Sequence, residues 1–97
     1  MQVKIGYPLI DKALKMFEDL FNGKYEPNSF SADMEMFLWR NYEQMKIENL
    51  EITNFLNQDT QDICDLAEPN FDPTEMLEML KPIYKTAREM REKLENK

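Results

Sequence analysis

Between Glu48 and Glu78 the chain carries nine carboxylates (Glu48, Glu51, Asp59, Asp62, Asp65, Glu68, Asp72, Glu75 and Glu78) and not one Lys or Arg. Carboxylates in such a run can serve catalysis, metal binding or recognition. Hydrolysis at a carboxylate pair needs a cleft and substrate-positioning groups that a helical chain of 97 residues seldom builds. Carboxylate metal sites in helical bundles usually rely on Glu-x-x-His pairs, and this sequence has no histidine. Two glycines and the single Cys64 supply neither a phosphate-cradling loop nor an internal disulfide. The expectation is a protein that is not an enzyme and carries no metal or cofactor.

Recognition is the remaining use. Part of the block needs no partner: Asp72 and Glu75 fall where carboxylates favour a helix start. The block as a whole is harder to dismiss, because solvated faces normally mix both signs and a single-sign stretch repels itself. The flanks are mixed, with six basic and seven acidic residues before Glu48 and six basic and three acidic after Glu78. A net charge of −7 disfavours nucleic acid and anionic membranes and favours a basic protein. The candidate partner contacts are Glu48, Glu51, Asp59, Asp62, Asp65 and Glu68, with Tyr42 as an aromatic anchor.

These residues must be positioned by helices, because apolar residues return every three or four positions and strict alternation is never sustained. The first helix is expected from about Pro8 to Asn22, with Pro8 in the first turn, Gly23 at the stop, and Leu9, Ile10, Ala13, Leu14, Phe17, Leu20 and Phe21 on its apolar stripe. The second follows a cap at Asn28 or Ser29 and runs to about Met45, burying Phe30, Met34, Phe37, Leu38 and Met45. Trp39 and Tyr42 flank that stripe, and the core is the expected place for Trp39.

A third segment, 48–67, turns Ile52, Phe55, Leu56, Ile63 and Leu66 inward and would set Asp59 in the middle of the apolar stripe. An unpaired carboxylate there is costly, so either the helix bends near Asn57-Gln58-Asp59-Thr60 or Asp59 lies at the core's rim, with the bend favoured. Asp72-Pro73-Thr74-Glu75 opens a fourth helix that runs to about Leu94. Pro82 lies inside it and predicts a kink around Leu80 to Pro82. The fold expected is all-α: one domain over 1–97, an antiparallel four-helix bundle with its last helix kinked near Pro82. The eight methionines read as gap-fillers, and no apolar run resembles a signal peptide or a membrane span, which points to the cytosol.

The order of features resembles the immunity proteins of colicin D and related contact-dependent inhibition toxins. The likeness covers about residues 9 to 90. It rests on Leu20-Phe21-Asn22-Gly23-Lys24-Tyr25 closing the first helix, Asn28-Ser29-Phe30 opening the second, and Phe71-Asp72-Pro73 leading to Thr74-Glu75 at the last. The resemblance implies a one-to-one inhibitor that shields a bacterium from a basic toxin nuclease, often one cleaving transfer RNA, by covering its substrate-binding surface with acidic side chains. It carries over no contact residues, and Pro82 departs from the pattern. The alternative is a helical antitoxin or phage-type regulator of a DNA-binding protein. An immunity bundle acting at a membrane receptor is a third reading, and a homodimer is left open.

Overall fold

A computed structural model of the chain describes residues 6–64 and 72–95. Those residues form four helices and, among them, no strand: α1 (Pro8–Phe21), α2 (Pro27–Glu48), α3 (Leu50–Cys64) and α4 (Pro73–Glu95). α2 packs along α1 on one side and α3 on the other, α3 packs on α4, and α4 closes onto α1, as in a helix bundle.

Each helix start answers the same physical demand, that the first backbone N–H groups find acceptors. In α1, Pro8 has no N–H to satisfy, and Tyr7 offers no side-chain cap. The next two donors are met from another helix. Leu9 N–H donates to both Glu48 oxygens (3.1 and 3.0 Å), and Ile10 N–H donates to Glu48 Oε1 (3.1 Å). Asp11 N–H then donates to the Tyr7 carbonyl at 2.8 Å, and the helical ladder begins.

α2 opens two residues or more before the start that the sequence predicts. Glu26, not Asn28 or Ser29, is the cap, accepting from the Asn28 and Ser29 N–H groups at 3.1 and 2.8 Å with Pro27 in the first turn. Those two bonds, Ser29's first, hold the Glu26 carboxyl below its ordinary value. α4 opens as expected, with Asp72 Oδ1 accepting from Thr74 N–H at 2.9 Å. α1 stops at Asn22 and Gly23, whose φ of 76° lies in the left-handed region that glycine adopts without strain.

The core joins Ile10, Leu14, Phe17, Phe30, Met34, Leu38, Met45, Ile52, Leu56, Met76 and Leu80, all essentially inaccessible to solvent. Phe17 is its aromatic hub, with ring centroids 5.3 Å from Phe30, 6.0 Å from Tyr84 and 6.2 Å from Phe21. Two polar ties close α4 on α1. Arg91, buried to 9% exposure, donates to both Asp11 oxygens (2.7 and 3.2 Å) beneath the Tyr7 ring, and Tyr84 OH donates to Glu18 at 3.1 Å. Periodicity gave no hint of Arg91, since a cation there reads as part of the basic end of the last helix.

Two expectations are corrected. Trp39 is 75% exposed, because Phe30, Met34, Leu38 and Met45 already fill the inward side of α2 and no room is left beside them. α3 runs through Asn57-Gln58-Asp59-Thr60 as one helix, so no new turn starts at Asp59. Ile63 lies within α3 but its side chain is outside the described set, as is all of Leu66.

Two measurements check these contacts. Glu48→Ala should destabilise the fold by about 1–2 kcal/mol in urea unfolding, since it strands two N–H groups at the α1 start; an unchanged midpoint would show the cap to be idle. Partial burial and a hydrogen bond to Asp33 push the Tyr25 phenol up to about 12. Because that value lies above the ordinary one for tyrosine, the contribution to stability is complete below about 10 and is lost as pH rises through about 12. Absorbance titration should therefore show a late tyrosinate step that Tyr25→Phe removes.

Candidate functional site

The junction between α2 and α3 builds the most distinctive surface among the described residues. A single residue, Asn49, separates the two helices and serves both. Its extended backbone (φ −163°, ψ 115°) ends α2, with its N–H on the Met45 carbonyl at 2.9 Å. Its side chain begins α3 by accepting from Ile52 N–H at 2.9 Å, and its carbonyl accepts from Thr53 N–H (3.2 Å) and Thr53 Oγ1 (2.7 Å). So short a link sets α3 beside α2 in one register.

That register leaves an open cleft of about 730 Å³ between the helices, walled by Trp39, Tyr42 and Glu43 of α2 and by Asn54, Asn57 and Gln58 of α3. Tyr42 OH donates to Asn54 Oδ1 at 2.8 Å and spans the floor. The Lys46 ammonium lies 4.8 Å from the Tyr42 ring centroid and 3.1 Å from Glu43 Oε2. Around this cleft the surface is unusually apolar. Met36 (48% exposed), Trp39 and Ile47 (77%) lie on the solvent side of α2, and Leu50 (56%) follows at the start of α3. The solvent side of α2 thus sets these apolar residues among the exposed Asp33, Arg40, Glu43 and Gln44.

The predicted contacts distribute unevenly. Tyr42 is in the cleft, half-buried. Glu51 is exposed one helical turn before Asn54, on the same side of α3. Glu48 is half-buried at the start of α1, where its carboxylate is engaged by two backbone donors. Asp59 and Asp62 lie within α3 with side chains outside the described set, and Asp65 and Glu68 lie outside the described residues altogether.

Sequence reasoning missed Trp39, Met36, Ile47, Asn54, Asn57 and Gln58 as surface residues. A signal was available: Met36, Trp39 and Ile47 repeat at helical spacing opposite 34, 38 and 45, with Glu43 among them, so they cannot share the core side of α2. The amides carried no signal, since Asn and Gln on a helix flank are ordinary.

Among the described residues no group of three His, Cys, Asp or Glu could hold a metal ion. No described helix is long and apolar enough to cross a membrane. Among the described residues the arrangement offers an exposed aromatic ring beside amides and carboxylates. As the chain's one tryptophan, Trp39 should emit at the solvent-exposed, red end of the tryptophan range and be quenched by iodide in the folded state. A blue-shifted, unquenched emission would place it in the core after all. No family model, curated protein or solved structure matches the chain.

Proposed function

We propose that this protein works by binding another protein one-to-one, as an immunity-type inhibitor of a basic bacterial toxin nuclease, in the cytosol and without catalysis of its own. The observation that carries the reading is Trp39, 75% exposed in the wall of the α2–α3 cleft. Exposed apolar area beside a cleft is where interaction sites are found. Tryptophan is among the residues that dominate interface energetics, burying large area at little entropic cost.

The partner's charge follows from the surroundings. The net charge is −7, and α3, which forms one wall of the cleft, contains Glu51, Asp59 and Asp62 with no Lys or Arg. A basic surface would be steered to this side and held there by the apolar anchor. A nuclease that grips a polyanion presents such a surface, which agrees with the resemblance to toxin immunity proteins.

The scaffold belongs to the same proposal: antiparallel helices, with α4 bent near Pro82. Supporting the first, Asp11 meets Arg91 while Glu18 meets Tyr84, and the α1 start meets the α2 end through Glu48. Supporting the second, Pro82 lies inside α4 and has no N–H for the carbonyl one turn before it.

The test is affinity for the basic nuclease encoded by the adjacent gene. Trp39→Ala should weaken binding at least about 30-fold, the loss of about 2 kcal/mol typical of a central anchor, while moving the unfolding free energy by less than about 0.5 kcal/mol. Unchanged affinity in a folded variant would overturn the reading.

A further inference from the structure

We propose that the α2–α3 cleft takes an extended, lysine- or arginine-bearing segment of the partner, gripped through its peptide backbone as well as its charge; the inference rests on the protein-binding reading above. The α3 wall is lined by three amides, Asn54, Asn57 and Gln58; Asn57 Nδ2 donates to the Thr53 carbonyl at 3.2 Å and Asn54 Oδ1 accepts from Tyr42 OH, so Asn54 Nδ2 and the Gln58 carboxamide are what the wall presents to a ligand. A carboxamide presents a donor and an acceptor side by side on one planar group, as a peptide group does. Folded helices have both backbone groups paired internally, so a wall of amides is matched by a chain whose N–H and C=O are still free, an extended segment or a sheet edge.

The spacing agrees. Asn54 and Gln58 are one turn apart on α3, a rise of about 6 Å. Successive like-facing peptide groups of an extended chain repeat every two residues, about 6.6 Å. Two amides of α3 can therefore address alternate peptide groups of a strand laid along the helix.

The α2 wall shows what its side chains would meet. Lys46 already lies over the Tyr42 ring with its ammonium on Glu43, an arrangement of cation, aromatic face and carboxylate built from this chain's own residues. The larger Trp39 ring stands next to it in the same cleft, and among the described residues no cation lies over it. A lysine or arginine of the incoming segment fits there, facing a helix that has no basic residue and whose Glu51 is exposed on the same side as Asn54.

Trp39 reports on its own occupancy because it is the only tryptophan. The intact protein would be titrated with a short peptide of alternating lysine and threonine, with the same peptide N-methylated along one edge, and with a glutamate counterpart. The expected result is a saturable change in Trp39 emission with the lysine peptide and none with the glutamate one. Binding should weaken about tenfold on N-methylation and about tenfold in the exposed pair Asn54→Ala with Gln58→Ala, whose helicity and unfolding midpoint should stay as in the parent. Equal binding of the methylated peptide would overturn the backbone grip, and a silent Trp39 would overturn the cleft as the site. If the nuclease domain still binds while the peptide does not, the extended segment falls and the inhibitor reading stands. If neither binds, both fall. A dimer in sedimentation with no response to peptide would assign the cleft to a second copy and overturn the proposal.

Discussion

The bond from Glu48 to the start of α1 is the contact on which the arrangement turns. A carboxylate at the last residue of a helix opposes that helix's own dipole, whose C-terminal end is already negative. The same carboxylate set at another helix's N-terminus meets a positive end and two unsatisfied donors. Glu48 therefore stabilises the fold only while α1 lies against α2 with its start at the α2 end. One side chain couples two helices that are joined in sequence only through the 22–26 connection. With that pair aligned, Phe17 reaches Phe30, and the inward side of α4 has an aromatic surface to cover.

Saturating the inward side of α2 has an outward effect. Four large residues on one side of that helix meet α1, α3 and α4 at once, so Met36, Trp39 and Ile47 have nowhere inside to go. They are left in water beside Arg40 and Glu43, in a small domain where apolar side chains are wanted for the interior.

Helix number, order and most boundaries were legible because their causes are local: proline in a first turn, Asp72 as a cap, glycine at a stop, and a core periodicity that α1 and α4 follow closely. What was not legible depends on partners distant in sequence. Glu48 reads as one carboxylate among nine, and nothing near it announces that Leu9 and Ile10 will be its donors. Arg91 reads as a solvated cation until Asp11 and Tyr7 are placed beside it. Trp39 was misassigned by a local rule, that a large aromatic beside an apolar stripe joins it, which fails where the stripe is already full. For Tyr42 spacing left core and edge open, and the Asn54 amide it meets belongs to another helix, of which spacing within α2 says nothing.

The one-residue junction at Asn49 also limits how this surface can evolve. Loops usually absorb insertions and deletions, and the 22–26 connection can do so. At Asn49 one added residue would advance α3 by a full step, about 100° of rotation, carrying Ile52 and Leu56 out of the core and the amides away from Trp39. Descendants of this chain can therefore reshape the cleft by exchanging side chains at fixed positions, while the spacing from Trp39 to Gln58 stays constant in length.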